Sequence, residues 1–262
     1  MRKIFSKPKK RYVRRKRTGS SRYFFYFILA LSVIFGLVWG IRTIFTKLSM
    51  FEIDHIVIKG NENLETEFLE NLAQDFMGLN LYATSKKDIL QKYENITRIK
   101  DISVGRIFPN KIKIGIQERL GKFFVKTLEG EIFPIDVERI VLDNDTFYAN
   151  ENLPIIDIAD STKNIVVGRN IRNDFVEEIF RFCDEVHLYY PEFINNISEF
   201  YRANGELYIV EANTGYKIVF GSDELSDKIK RFKFLEQNRT FEKGKIIDLR
   251  YKNQLVIRSE EE

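Results

Sequence analysis

Nineteen consecutive residues, Tyr23 to Ile41 (YFFYFILALSVIFGLVWGI), carry no charge. They follow 22 residues that hold eleven Lys and Arg and no Asp or Glu, and the first acidic residue of the chain is Glu52. At about 1.5 Å per helical residue the run nearly matches the ~30 Å hydrocarbon core of a bilayer. Apolar character continues past Arg42 to Phe45, so a slightly longer, tilted membrane helix over residues 23–45 is expected. Tyr23, Tyr26 and Trp39 lie near its ends, where amphipathic rings favour the interface. A buried core helix is rarely apolar all round for this length and does not follow a dense cationic block. A cleaved signal peptide would have an apolar region of roughly 7–15 residues and a small-residue cleavage site. Here the longer run leads into Arg42-Thr43-Ile44-Phe45, so an uncleaved anchor is the reading. The positive charge before it keeps residues 1–22 in the cytoplasm as a basic tail and sends the remainder to the far side. Ser32, Gly36 and Gly40 recur every four residues, a candidate face for close packing of a partner helix.

The chain's formal charge is +4; taking away the +11 of the tail leaves −7, so the basic balance belongs to the tail alone. The tail holds only Phe5 and Tyr12 as aromatics and is too short for a recognition fold. It reads as an orientation signal that touches anionic headgroups, not as a specific nucleic-acid arm. The residues after the span suffice for one or two packed domains. A single cysteine, Cys183, excludes an intramolecular disulfide; it lies one helical turn from Ile179 and Val186 and reads as a small buried apolar side chain. His55 and His187 are the only histidines, so with one cysteine they cannot supply a His/Cys zinc set. There is no Gly-x-Ser-x-Gly elbow, phosphate loop or His-Glu-x-x-His pair. No catalytic, cofactor-binding or metal-binding residue is assigned, and a non-enzymatic role is expected. The sequons at Asn95, Asn144, Asn196 and Asn238 matter only in a eukaryotic secretory pathway.

Beyond the span, Phe51–Lys59 alternates in part and predicts a strand. Phe68, Leu69, Leu72, Ala73 and Phe76 share a helical face over 65–76, with Gly78 placed to end it. A second helix is expected from Ser85, a good N-cap. Strands follow over Ile99–Arg106 and Lys111–Gln117, joined by a turn at Phe108-Pro109-Asn110. This β-α-α-β-β order is complete near Arg119 and makes a small α+β core, residues 51–119. Residues 120–258 predict a mainly β domain with two flanking helices. Its strands fall at Phe123–Lys126, Ile132–Val137 and Leu153–Ile158. An amphipathic helix over 171–190 stops before Pro191. Ile197–Ala203 and Glu206–Glu211 form a hairpin across Asn204-Gly205, followed by Tyr216–Phe220. A helix from Ser222 and a hairpin of Lys245–Tyr251 with Gln254–Arg258 across Lys252-Asn253 end the fold. Residues 259–262 are expected to be a frayed acidic tail.

With these elements in place, several motifs resemble the FtsQ/DivIB family of bacterial cell-division proteins. They are Val57-x-Lys59-Gly60-Asn61-x-x-Leu64, then Gly78-x-Asn80-Leu81-Tyr82, then Ser103-Val104-Gly105-Arg106-Ile107-Phe108-Pro109-Asn110-Lys111-Ile112-Lys113-Ile114 with Gln117-Glu118-Arg119, and Ile247-Asp248-Leu249-Arg250-Tyr251. The chain departs from the family where a Leu-Pro-Trp-Val stretch is common; here it reads Ile96-Thr97-Arg98-Ile99. The resemblance implies a POTRA domain over 51–119 and a non-catalytic divisome scaffold, single-pass in the bacterial cytoplasmic membrane at the septum. Its partners would be FtsB/DivIC-like and FtsL-like coiled-coil proteins, and other divisome membrane proteins, in the control of septal peptidoglycan synthesis. By the same analogy the small partner adds a strand beside the last one, which puts the site at Gln254, Leu255, Val256, Ile257 and Arg258, with Tyr251 just before. An alternative is a POTRA-bearing envelope secretion or assembly factor, but neither tandem POTRA modules nor barrel strands are visible.

Overall fold

The computed structural model describes residues 20–143, 152–159, 162–221, 223–252 and 254–259. The basic tail up to residue 19, the Asn144 sequon, Ser222 at the expected helix start, Asn253 of the expected turn and residues 260–262 of the acidic tail lie outside the described residues.

Helix α1 spans Ser20–Lys47 and is long and apolar enough to cross a membrane. None of the window Arg22–Lys47 is buried inside the molecule, which separates it from a core helix. Thr43 and Thr46 hydroxyls donate back to the Trp39 and Arg42 carbonyls, so their polarity is satisfied within the helix. Gly36 and Gly40 have open space where a Cβ would stand.

The small domain forms a three-stranded sheet in the order β1–β3–β2, with β1 at His55–Lys59, β2 at Ile99–Ile107 and β3 at Lys111–Glu118. Strand β1 runs parallel to β3, and β2 antiparallel. Helices α2 (Thr66–Leu72) and α3 (Lys86–Tyr93) bury Leu69, Ala73, Ile89 and Tyr93 against Ile58, Ile112, Ile114 and Ile116. Ser85 caps α3 by accepting from the Lys87 amide. The expected strand at Phe51 begins four residues late, because Phe51 closes a 3-10 turn after α1 and only then does the chain extend. The 65–76 helix likewise breaks after Leu72 into a 3-10 turn over Gln74–Phe76.

The sequence motifs find structural employment here. Gly60 has φ +87° and a Cβ there would lie 2.3 Å from the Ile116 carbonyl oxygen, so the turn after β1 admits only glycine. The Glu118 carboxylate accepts from the amides of Glu62, Asn63 and Leu64 and so fixes that turn. Asn80 Oδ1 accepts from the Tyr82 and Ala83 amides, while its Nδ2 donates to the Phe45 carbonyl at 3.0 Å. The segment around Asn80 therefore grips the end of α1. Phe45 stacks on Phe51 with centroids 4.9 Å apart, and both meet the Tyr82 ring edge-on.

The large domain is an eight-stranded sheet in the order β11–β10–β9–β8–β7–β6–β4–β5. The strands are β4 (Phe123–Lys126), β5 (Ile132–Ile135), β6 (Ile155–Asp157), β7 (Ile197–Ala203), β8 (Glu206–Glu211), β9 (Lys217–Val219), β10 (Lys245–Asp248) and β11 (Val256–Ser259). Helices α4 (Asp174–Tyr189) and α6 (Leu225–Asn238) lay Val176, Ile179, Phe182, Ile229 and Phe232 on one face of the sheet, against Phe200, Ile209, Ile218 and Ile247. Cys183 is in this core, and burial pushes its thiol up to about 12. Pro191 stops α4 as expected but also opens a further short helix, α5 (Pro191–Ile194), which fits proline's preference for a first helical turn. Asn204 and Gly205 both take positive φ, which forms the tight β7–β8 turn.

The two sheets meet through charge. Arg98, 1% exposed, donates from Nε to Asp143 Oδ1 at 3.0 Å and from Nη2 to the Asp143 carbonyl. Thr97 donates to the other Asp143 oxygen. Arg119 reaches Asp136 at 2.5 Å and Glu138 at 2.8 Å, and Lys100 meets Glu138 at 2.5 Å. The mixed α+β class read from the sequence is the observed one: an apolar helix, a small β-α-α-β-β domain and a β-rich region with flanking helices.

Candidate functional site

Strand β10 is hydrogen-bonded on both sides, parallel to β9 and antiparallel to β11, which among the described residues leaves β11 with one open edge. The expected tight hairpin across Lys252-Asn253 is a longer connection instead, because β10 ends at Asp248 and β11 starts at Val256. The chain leaves β10 early for a physical reason. Leu249 is fully buried and its amide donates to the Val219 carbonyl. Arg250 then folds back on Asp248, with both Nε and Nη2 on the carboxylate. Burial works against ionisation of Asp248, but the hydrogen bonds and charge of Arg250 outweigh it and hold the carboxyl below its usual range. Arg231 of α6 donates to the carbonyls of Tyr251 and Lys252, and Lys252 pairs with Glu224. The connection is thus clamped from three sides.

The six residues expected to form the binding edge are separated by this geometry. Val256, Ile257 and Arg258 are in β11, joined by Ser259, which the sequence reading left in the tail. Gln254 and Leu255 precede the strand; Gln254 is exposed, whereas Leu255 packs against the large core and serves the interior. Tyr251 is exposed at the clamped turn. Val256 and Ile257 are 36% and 41% exposed, an unusual amount for branched apolar residues on a strand with an unpaired row of N–H and C=O groups. Arg258 lies over the helix-free face, where its Nη2 comes within 3.4 Å of Tyr208 Oη, and its buried Nε has no partner among the described residues.

The opposite end of the sheet differs. Strand β5 carries Pro134, which has no N–H to offer, and its carbonyl accepts from Leu142. Ile135 also forms a bridge with Val141. Among the described residues, one end of the large sheet is therefore covered by proline and by a returning loop, and the other has no strand beside it and exposes Val256 and Ile257. Sequence reasoning missed the seal, although Pro134 inside an apolar run was its signal.

Ser32, Gly36 and Gly40 fall on one face of α1, but nothing in the structure brings a partner helix to them. His55 and His187 are exposed and far apart in the chain, and no group of acidic, His or Cys residues suited to a metal occurs among the described residues.

The family model for the POTRA domain, FtsQ-type, matches residues 51–119. The cell division protein DivIB of Clostridium botulinum strain Hall is 25% identical over 153 residues, covering 58% of this chain and 51% of that protein. DivIB of the Loch Maree strain is 27% identical over 114 residues, covering 44% and 42%. DivIB of Clostridium tetani is 24% identical over 198 residues, covering 71% and 69%. The chain spans about half the length of the first two relatives. With the matched domain, the motif order and the anchor-like helix α1 taken together, the chain carries an FtsQ-type POTRA domain and is similar to DivIB cell-division proteins.

Proposed function

We propose that the protein is a non-catalytic divisome scaffold that captures an extended segment of a small FtsB/DivIC-like coiled-coil protein on the open edge of β11. FtsL-like and other divisome membrane proteins complete the assembly, which helps control septal peptidoglycan synthesis. The contrast between a sealed β5 edge and a β11 edge with no strand beside it among the described residues carries this reading, because such an edge offers backbone groups and exposed Val256 and Ile257 to an added strand. Backbone hydrogen bonds would give affinity, and Val256, Ile257 and Arg258 would give selectivity. In the same reading residues 1–22 are a cytoplasmic tail, 23–45 the membrane span, 51–119 and 120–258 two extracytoplasmic domains and 259–262 a loose end, and the protein gathers at the division septum. The Ser32, Gly36 and Gly40 face is free to pack against a partner's span.

Alternate residues of an edge strand point their N–H groups inward and outward, so Val256→Pro and Ile257→Pro separate folding from binding. The one whose N–H faces outward keeps the melting temperature of the parent and loses pull-down of the coiled-coil partner. Unchanged pull-down by that folded variant removes β11 as the site.

A further inference from the structure

Helix α1 holds 28 residues, roughly 40 Å at about 1.5 Å per residue, against ~30 Å of hydrocarbon. If the uncharged run Tyr23–Ile41 fills the hydrocarbon, Phe45 lies about one turn beyond it, inside the headgroup layer. The Phe45 ring touches Phe51 and Tyr82, so those side chains share its depth. Tyr82 reaches further back along the helix. It shares the wall of an open crevice of about 390 Å³ with Val38, Ile41, Arg42, Phe45 and Thr46.

Around this joint the small domain turns apolar side chains outward. The Ile53 amide donates to the Leu79 carbonyl and the Gly78 amide to the Ile53 carbonyl, while the Asp54 amide donates to the Asn110 carbonyl. The 77–79 loop and the end of β2 with Phe108 are thereby held beside the end of α1. Five large apolar residues are exposed between positions 52 and 119, and four of them are here: Met77, Leu79, Phe108 and, at the end of β2, Ile107; only Phe68 is elsewhere. Phe108 is 64% exposed although its ring touches Phe51. Leu48 and Met50, in the link itself, are also exposed. The local charge is mixed: Lys47 and Arg106 stand near Glu52 and Asp54, and Arg106 is already committed to the Thr84 carbonyl and lies over the Tyr82 ring.

We propose that these residues form a foot that seats the POTRA domain in the lipid surface, with Leu79 and Phe108 entering the boundary between headgroups and acyl chains. The proposal rests on reading α1 as a membrane span. Apolar burial holds the foot rather than anionic lipid, since Arg42, Lys47 and Arg106 exceed Glu52 and Asp54 by only one charge. The domain is then not a bead on a tether: its orientation to the membrane plane is fixed at two places, the helix and the foot, and the crevice beside Tyr82 admits an acyl chain.

The test is fluorescence quenching on the full chain in zwitterionic vesicles. Leu79→Cys, Phe108→Cys, Phe68→Cys and Phe35→Cys are each labelled with an environment-sensitive dye; native Cys183 is buried and stays unlabelled. Dyes at 79 and 108 are expected to be quenched by shallow doxyl lipids at least about threefold more than the dye at 68, and the dye at 35 by deep doxyl lipids. Deep quenching at 35 with 79 and 108 equal to 68 overturns the foot and leaves the span standing. No quenching at 35 overturns the span and the foot with it. Shielding of 79 and 108 without lipid quenching means that protein covers them, and quenching seen only with anionic lipid means that charge recruits them; either outcome overturns the proposal.

Discussion

The small domain has two joints, and they are built from opposite chemistry. Toward α1 it is joined by aromatic rings: Phe45, Phe51, Tyr82 and Phe108, with one side-chain hydrogen bond from Asn80 to fix the register. Toward the large sheet it is joined by ions: Lys100, Arg98 and Arg119 on one side and Asp136, Glu138 and Asp143 on the other. Ring contacts lose little when pH or salt changes, and near a bilayer they gain from the apolar surroundings. Ion pairs are directional and specify one relative placement, but their strength depends on solvent. The molecule is therefore robust where the small domain meets α1 and tunable where its two domains meet.

The largest effect is expected from breaking the aromatic joint. Phe51→Ala removes a 3%-exposed ring and should lower stability by about 3–5 kcal/mol, measured by denaturant unfolding of the full chain in detergent. The loss should be the same at low and high salt. At the ionic joint, Arg98→Ala should cost about 1.5–3 kcal/mol, because it removes a buried side chain together with its hydrogen bonds to the Asp143 carboxylate and carbonyl. Arg98→Lys should not restore it, since an ammonium cannot reproduce the planar fork that meets the Asp143 side chain and carbonyl together.

A smaller effect sharpens the contrast through pH. Hydrogen bonds from Arg119 and Lys100 hold the Glu138 carboxyl at about 2, below its ordinary 4.5. A depressed carboxylate stabilises the fold above its ordinary value, and that contribution fades as pH falls from 4.5 toward 2. Glu138→Gln should therefore flatten the acid limb of a stability–pH curve in this window while leaving neutral-pH behaviour of the α1 joint untouched. Because Glu138 is 46% exposed, the difference should shrink in high salt. Lys100→Ala is expected to be the mildest change, below about 0.5 kcal/mol, and to disappear in double-mutant cycles at high salt.

Much of this architecture was legible because it follows from period and punctuation. The alternation of Ile112, Ile114 and Ile116, the Asn204-Gly205 turn and the Ser85 cap are local signals, and each produced the element it announces. What escaped were features made by residues distant in sequence. Arg98 occupies a position where the family often has a tryptophan, yet nothing local says that it is buried against Asp143, 45 residues on. Strand order in the large sheet, with β4 beside β6 and β10 beside β9, depends on parallel pairings that leave no turn signature. At the candidate edge the misreading was local competition. Leu249 and Leu255 look like strand residues, but each is drawn into the interior, and the strand is cut down to Val256–Ser259.

Sealing one end of the large sheet has a numerical consequence. An array with two live ends can recruit two strands, or join end to end with its own copies into a chain of unlimited length. Pro134 and the Val141 bridge remove one of those ends. Among the described residues the large sheet then keeps one edge for strand addition, so under the proposed function it would bind its partner with a valency of one.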